Sequence, residues 1–311
     1  IRQSGTDNPF IFAHQQIARF RRTREDMGNT GEMIDLHRYA TALTIAGSDS
    51  CGGAGIQADL KTFSALGVYG MSAITAVTAQ NTLGVRSVQA VETKVIRDQI
   101  EALFDDFTID AVKIGMLYEA ETVRLVAELL ERYRPQWVVL DPVMISTSGS
   151  KLLQDDAIAE IVKSLFPQVY LVTPNVPEAE HLSGMPLHTP EDMDGVAGRL
   201  LEMGCRAVLI KGGHLEGEQK TDRLYIPTEK PVGFVHETID TRNTHGTGCT
   251  LSSAIAACLA LGYPLPDAVS KAEKYLAEAL RAGKEVMAGH GHGPVNHFYS
   301  PQKLVKQSVE K

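Results

Sequence analysis

A glycine-bearing segment before a helix, residues 243–250, contains the residue types best suited to chemistry. Gly246 and Gly248 lack Cβ atoms, so a ligand can come close to the backbone there. An Ala- and Leu-rich run follows and predicts a helix that ends at Gly262. The N–H groups in the first turn of a helix have no partner within the helix, and the helix dipole adds positive potential. The segment therefore predicts an anion-binding site.

Cys249 follows the second glycine and lies at the mouth of this predicted site. A thiol at a helix N-terminus has a lowered pKa and can act as a thiolate or as a proton acceptor. In the alternative interpretation, the segment is an ordinary glycine-containing helix start whose cysteine has no chemical role. Short glycine motifs occur often enough without function that the local sequence leaves both interpretations open.

The elements that must position these residues alternate along the chain. Strands are predicted at residues 42–46, 71–77, 111–114, 137–140, 169–173 and 207–211. Helices are predicted between them at residues 55–66, 94–105, 119–133, 155–165 and 190–203. The strands are continuous apolar runs, as expected for parallel strands that are buried on both faces. The alternation predicts a three-layer α/β/α sandwich with a mainly parallel central sheet.

The remaining segments predict the limits of one domain, residues 40–300. Residues 221–237 form a shorter-period stretch with two prolines, which predicts an antiparallel excursion before the glycine segment, and residues 264–282 predict the last helix. We interpret residues 1–39 as an N-terminal extension that is disordered or foreign, with Met33 as the natural start; a docking arm is the alternative. Residues 301–311 are interpreted as a C-terminal tail.

Polar or glycine-rich segments follow all six predicted strands. They are residues 47–59, 77–81, 113–116, 140–144, 173–178 and 210–214. Ligands of such sheets bind outside the carboxyl ends of the strands. Turn chemistry explains any one of these segments, but six at the same edge indicate a ligand site. The dinucleotide-binding and P-loop glycine motifs are both absent from the sequence.

Composition excludes several classes of function. The net charge of −8 and the lack of a basic run argue against nucleic-acid or membrane-surface binding. The four cysteines show neither metal-like spacing nor the density of a small secreted domain. No apolar run approaches the roughly 18 residues of a transmembrane helix. These observations favour a cytoplasmic protein.

Taken together, the segments resemble the hydroxymethylpyrimidine/phosphomethylpyrimidine kinase family of thiamin biosynthesis, within the ribokinase-like superfamily. The resemblance runs from residue 42 to about residue 299, and its most specific pieces are residues 43–67, 76–82, 113–116 and 243–250. Sugar kinases carry Gly-Ala-Gly-Asp at the anion site, whereas this family carries Gly-Thr-Gly-Cys, as here. The resemblance implies ATP-dependent phosphorylation of 4-amino-5-hydroxymethyl-2-methylpyrimidine and then of its monophosphate.

The resemblance also implies which residues hold the pyrimidine. Asp59 and Gln80 would hydrogen-bond the ring, since a carboxylate and an amide match its alternating donor–acceptor edge. The pocket would be lined by four further residues: Ala54, Thr78, Met116 and Val143. Without the resemblance, Asp59 would be interpreted as a surface helix acid and Gln80 as a strand-end cap.

ATP and Mg²⁺ would lie at the later strand ends. By resemblance, Asp141 and Glu178 would hold Mg²⁺ through water. The ATP-binding residues would be Thr173, Asn175, Lys211 and Thr247. Gly246 and Gly248 would hold the transferred phosphoryl group, and Lys211 would neutralise the phosphates. Cys249 would accept the proton of the hydroxymethyl group or fix its position.

Other interpretations remain open at this point. A pyridoxal or pyridoxine kinase would act on an alcohol of similar size and shape, and a non-catalytic pyrimidine sensor could use the same fold. His290, His292 and His297 do not have a standard zinc spacing, so packing of the tail near the site rim is favoured over metal binding. A homodimer is expected from the family alone.

Overall fold

The computed structural model describes residues 36–145, 149, 152–214 and 219–308, and its main feature is a nine-stranded sheet. Strand β1 (His37–Tyr39) lies outside this sheet. The nine strands of the sheet, in chain order, are β2 (Thr41–Asp49), β3 (Tyr69–Asn81), β4 (Gly84–Ala90), β5 (Ala111–Ile114), β6 (Val138–Leu140), β7 (Leu171–Val172), β8 (Ala207–Ile210), β9 (Gln219–Tyr225) and β10 (Val232–Glu237). Their order across the sheet is β10-β9-β8-β7-β6-β5-β2-β3-β4. The six middle strands are parallel, and β9, β10 and β4 join antiparallel at the two sides.

Helices cover both faces of this sheet. They are α1 (Gly55–Ala65), α2 (Thr93–Asp106), α3 (Ala120–Tyr133), α4 (Asp155–Glu160), α5 (Val176–Ser183), α6 (Asp192–Glu202), α7 (Thr247–Ala260) and α8 (Leu265–Gly283). Alternate residues of one strand enter different cores: Val112 packs with α2 and α3, while Ala111 packs with α1, α7 and α8. A buried parallel strand must satisfy both layers, which is why these strands read as continuous apolar runs. The predicted three-layer α/β/α fold is confirmed.

The structure differs from the prediction on the first side of the sheet. β3 continues to Asn81 and turns back as the antiparallel strand β4, which the sequence analysis missed. Most β4 residues are exposed or half-buried, so the segment lacks the apolar run used to predict strands. Thr78 and Gln80 therefore lie on a strand, and a bulge between Ala79 and Gln80 changes the local register.

Two further differences lie around β7. The predicted helix at residues 155–165 is α4 followed by one wider turn, Ile161–Leu165, and the predicted strand at 169–173 is only two residues long. α5 was not predicted, although its capping box is visible in sequence: Asn175 and Glu178 satisfy each other's backbone N–H groups.

The two ends of the described chain meet in a second, two-stranded sheet. His37–Tyr39 forms a strand, β1, that pairs antiparallel with β11 (Lys306–Ser308). The Val305 N–H also donates to the Gly67 carbonyl oxygen. Backbone hydrogen bonds thus tie residues 37–39 and 305–308 to the domain. No apolar pattern in the sequence indicates these hydrogen bonds. Residues 1–35 of the extension predicted at residues 1–39 lie outside the described residues.

This topology places all the parallel strand ends at one edge, and α7 begins at the same edge. No helix in the described part of the chain is long and apolar enough to cross a membrane.

Candidate active site

A cavity of about 980 Å³ opens along the carboxyl ends of the parallel strands. Most of the residues predicted for the site line it: Ala54, Thr78, Gln80, Met116, Asp141, Val143, Asn175, Glu178, Lys211, Gly246, Thr247, Gly248 and Cys249. Asp59 and Thr173 do not. The structure therefore brings together residues from the ends of β2, β3, β5, β6, β7 and β8 and from the start of α7.

The glycine segment forms one wall of the cavity. Gly246 precedes α7 in a left-handed conformation, with φ of +80°. A Cβ at Gly248 would lie 3.4 Å from Asp141 Oδ2 and 3.5 Å from Lys211 Nζ, so the bare backbone faces these two charges. A negative ligand here would meet the helix start on one side and the lysine on the other. The anion site therefore stays a prediction at this wall of the cavity.

Gly246→Ala should lower both stability and turnover. The added methyl group would overlap the Gly53 carbonyl oxygen, and the positive φ adds strain of about 1–3 kcal/mol for a residue with a side chain. Gly262→Ala is the matched control, because Gly262 lies beyond the other end of α7 with φ of +88° and open space around it. We expect thermal unfolding to register both changes and turnover to fall only in Gly246→Ala. Equal turnover in the two variants would show that the Gly53 contact does not matter.

Cys249 has a different electrostatic environment from the one predicted. Burial raises the pKa of its thiol to about 11; the Lys113 ammonium opposes this, while Asp59 and Asp141 add to it. The Gly55 N–H donates to the sulfur, but this does not offset the loss of water. The prediction of a lowered pKa is wrong, because desolvation of a thiolate outweighs the helix terminus here.

Asp59 also differs from its predicted role. Its carboxylate is fully buried and accepts hydrogen bonds from Lys113 Nζ at 2.9 Å, Thr44 Oγ1 at 2.6 Å and Ser253 Oγ at 2.6 Å. The prediction that Asp59 contacts the pyrimidine is corrected, since α1 turns this side chain into the interior beneath the cavity. Lys113, which the sequence analysis did not single out, lines the cavity next to it.

Asp141, Lys211 and Glu178 form the charged centre of the cavity. Lys211 Nζ lies 3.0 Å from Asp141 Oδ1 and 3.9 Å from Glu178 Oε2. Burial and the Asp141 charge raise the pKa of Glu178, although Lys211 opposes them. Two carboxylates that share a buried site disfavour each other's ionisation, and a divalent cation relieves that repulsion. The donor set fits a hard divalent metal.

Asn175 and Thr173 lie beside this centre in supporting positions. Asn175 Oδ1 accepts from the Glu178 N–H at 2.9 Å, and the Asn175 N–H donates to Glu178 Oε2 at 2.8 Å. The cap thus orients the Glu178 carboxylate. Thr173 is buried behind Asp141, with 3.5 Å between Thr173 Oγ1 and Asp141 Oδ1. Its predicted contact with ATP is corrected to support of Asp141, because the Thr173 side chain is buried and does not line the cavity.

The other end of the cavity is mainly apolar. Met116 and Val143 belong to a small cluster that also contains Ala76 and Leu152. Thr78 donates from Oγ1 to the Ser48 carbonyl oxygen at 2.9 Å, so its hydroxyl is used within the protein. The Gln80 amide is the remaining predicted polar group at this end.

One link that sequence reasoning missed joins the two glycine segments. His245 Nε2 lies 2.8 Å from Asp49 Oδ2, and the same oxygen accepts the N–H groups of Gly53 and Ala54. Although burial opposes ionisation, the hydrogen bonds from His245 and the backbone lower the pKa of Asp49 to about 2. Asp49 therefore holds the segment before α1 against the segment before α7.

Of the three histidines near the C-terminus, His297 packs inward, whereas the side chains of His290 and His292 are exposed. His297 is buried, and its Nε2 lies 3.1 Å from Thr250 Oγ1. The His292 N–H donates to the Thr82 carbonyl oxygen. None of the three tail histidines belongs to a cluster of potential metal ligands within the ranges that the structure describes.

Known proteins show the same combination of fold and sequence. A family model described as phosphomethylpyrimidine kinase matches residues 49–296. This chain belongs to the phosphomethylpyrimidine kinase family. The hydroxymethylpyrimidine/phosphomethylpyrimidine kinase of Rhizobium meliloti (strain 1021) is 51% identical over 261 residues, which are 84% of this chain and 97% of the relative.

Solved structures of a phosphomethylpyrimidine kinase and of a pyridoxal kinase are both similar to this chain. A crystal structure of phosphomethylpyrimidine kinase from Clostridium difficile 630 has 49% identity and a TM-score of 0.69, over 77% of this chain and 99% of that one. The ADP complex of Bacillus subtilis pyridoxal kinase has 37% identity and a TM-score of 0.76, over 84% and 98%. Kinases of this type generally use ATP with a divalent metal.

Proposed function

We propose that this member of the phosphomethylpyrimidine kinase family transfers the γ-phosphoryl group of ATP to hydroxymethylpyrimidine, and then to the monophosphate, in thiamin diphosphate biosynthesis. One observation carries the proposal: the Gly248 backbone lies against Asp141 and Lys211 in a cavity that is also lined by the apolar side chains of Met116 and Val143. A phosphate chain and a flat aromatic alcohol need these two environments side by side.

In the first step, this chain binds and orients more than it reacts. Lys211 and the α7 N–H groups neutralise the phosphates as charge spreads over the oxygens of the transferred group. Asp141 and Glu178 would hold Mg²⁺, which would offset the negative charge of the phosphates. Cys249 lies where the hydroxymethyl group must enter. It holds that group in line, or takes its proton in the fraction of molecules that carry a thiolate.

In the second step, the acceptor is already an anion. A phosphate monoester is largely ionised near neutral pH, so it needs no proton acceptor. It does need positive potential, which Lys211 and the helix start supply in the same place. The same site can therefore serve both acceptors, with Cys249 important mainly in the first step.

Pyrimidine binding would depend on Gln80 and on the apolar wall. The amide of Gln80 offers both a donor and an acceptor to the ring edge. Met116 and Val143 line the cavity at the apolar end and give flat contact area. Asp59 contributes indirectly, since it fixes Lys113 beneath the site.

Pyridoxal phosphorylation is a second candidate activity. The specific observation is the likeness to the Bacillus subtilis pyridoxal kinase, whose TM-score exceeds that of the Clostridium difficile enzyme. Sequence identity favours the pyrimidine, at 49% against 37% for these two structures.

ADP release in the presence of each acceptor tests the proposal. Hydroxymethylpyrimidine, its monophosphate and pyridoxal are offered separately with ATP and Mg²⁺. We expect both pyrimidines to be phosphorylated and kcat/KM to be higher for hydroxymethylpyrimidine than for pyridoxal. Asp141→Asn should abolish turnover with every acceptor and so assign it to this cavity. A preference for pyridoxal would support the second candidate, and the absence of turnover with a bound pyrimidine would indicate a sensor.

Three further properties belong to the proposal. The family resemblance supports a homodimer and a cytoplasmic location. The N-terminal extension proposed at residues 1–39 rests on the sequence alone, since residues 1–31 show little helical or strand periodicity.

A further inference from the structure

Three potential metal ligands from three different elements meet at one side of the cavity. Asp222 lies on β9, His236 on β10 and Glu273 on α8. One ligand atom from each lies within 4.8 Å of the other two. All three residues line the cavity, and none of them belongs to the Asp141 and Glu178 pair already described.

The antiparallel pairing of β9 and β10 sets up this cluster. Asp222 lies opposite Phe234, so His236 is its diagonal neighbour on the same face of the sheet. His236 Nε2 is 3.2 Å from Asp222 Oδ1, and the Gly212 N–H donates to that oxygen at 2.8 Å. A backbone donor that fixes a carboxylate is a common support for a metal ligand.

Glu273 provides the independent sign that something is missing from this cluster. Its Oε1 is buried, and no group in the described ranges hydrogen-bonds to it. The Glu273 side chain is half-buried, and one of its carboxyl oxygens lies within 4.8 Å of ligand atoms of Asp222 and His236. Leaving a buried carboxyl oxygen without a partner costs about 1–3 kcal/mol. Such an oxygen, directed at a second carboxylate and an imidazole, is suited to a cation.

We propose that Asp222, His236 and Glu273 bind a first-row divalent ion such as Mn²⁺, at a site separate from Asp141 and Glu178. Two carboxylates and one imidazole suit Mn²⁺, Co²⁺ or Zn²⁺ better than Mg²⁺, which prefers oxygen ligands and its own water. The ion would provide the partner that the buried Glu273 Oε1 lacks among the described residues.

The surrounding charges and the open side define how such an ion is held. Lys211 and Lys220 are the nearby cations: Lys211 pairs with Asp141, and Lys220 lies opposite His236 in the strand register. The positive charges of these two lysines lower the affinity of the cluster for a cation, but two carboxylates still face the ion. The remaining coordination positions face the cavity, where water or a bound nucleotide can fill them.

Electron paramagnetic resonance of Mn²⁺ added to the nucleotide-free protein tests the site. Pulsed spectra should show coupling to an imidazole nitrogen, because Asp141 and Glu178 supply only oxygen. His236→Gln should abolish that coupling, and Glu273→Gln should weaken Mn²⁺ binding by about 10-fold or more. Glu278→Gln is the matched control, since Glu278 lies on the same helix and pairs with Arg281 at the surface. It should bind as the wild type does.

Three outcomes would overturn the proposal. The first is Mn²⁺ binding without nitrogen coupling, and the second is unchanged affinity in Glu273→Gln. The third is loss of all Mn²⁺ binding in Asp141→Asn, which would assign every bound ion to the phosphate site. In each case the cluster would not be a metal site. Circular dichroism confirms that each variant is folded before its spectra are compared.

Discussion

Cys249→Ala should lower the turnover number with hydroxymethylpyrimidine by about 10²–10⁴-fold, the usual effect of losing a positioned proton acceptor. Its KM for the pyrimidine should change little, because the thiol acts on the reacting oxygen rather than on the ring. The same substitution should slow phosphorylation of the monophosphate less, since that acceptor is already ionised. Separate rate measurements with the two acceptors check this difference.

The pH dependence gives a second readout of the same group. A thiol with a pKa of about 11 is protonated at neutral pH. At pH values below the pKa, its thiolate fraction rises about tenfold for each unit by which the pH increases. If the thiolate takes the proton, kcat/KM for the alcohol should therefore rise with pH beyond pH 9 in the wild type. Cys249→Ala should lack this rise. The same rise in both proteins would leave Cys249 with a positioning role only.

Cys258→Ala is the control for loss of a thiol from α7. Cys258 lies on the same helix but packs in the core beneath it. We expect its removal to cost some stability and to leave the ratio of the two phosphorylation rates unchanged. If both steps slow equally in Cys249→Ala, the thiol does not distinguish the acceptors.

Lys113→Met should lower the free energy of unfolding by about 3–5 kcal/mol, because it leaves the Asp59 carboxylate buried without its counter-charge. Both side chains of this pair are fully buried. For a chain of this size, such a loss corresponds to roughly 5–10 °C in melting temperature. Chemical denaturation of the two proteins checks the prediction. Lys94→Met is the control, since its pair with Asp98 is exposed and should leave the transition unchanged.

Asp59→Asn separates the two roles considered for this carboxylate. If Asp59 serves the buried network, the variant should lose stability, because Lys113 then lacks its counter-charge. KM for the pyrimidine should change only through that loss. A stable Asp59→Asn protein with a raised KM for the pyrimidine alone would show instead that Asp59 contacts the ring.

The helix start at Gly246 and Gly248 illustrates what the sequence predicts well. Its chemistry depends on residues that are adjacent in the chain: two glycines, a cysteine and the helix that follows. The alternation of apolar runs with helical segments is equally local, and it leads to the parallel sheet through general rules of chain connection. Because such a sheet gathers its strand ends at one edge, Asp141 and Lys211 could be placed together although 70 residues separate them.

The missed features depend on partners that no local pattern marks. His245 bonds to Asp49 across 196 residues, and β1 pairs with β11 near the other end of the chain. The edge strand β4 has too little apolar surface for its pattern to be recognised. Their hydrogen bonds form only once the sheet and its helices have come together.

The sequence by itself thus determined the fold, the edge that carries the site and most of the side chains that line it. Only the tertiary structure decided how two of the predicted site residues, Asp59 and Cys249, behave. Asp59 lies on the predicted helix, but the packing of α1 turns it inward onto Lys113, away from the cavity. Cys249 lies at the predicted helix start, but partial burial in the cavity wall raises the pKa of its thiol. Burial is a property of the assembled chain, so it reverses local expectations wherever a charge must leave water.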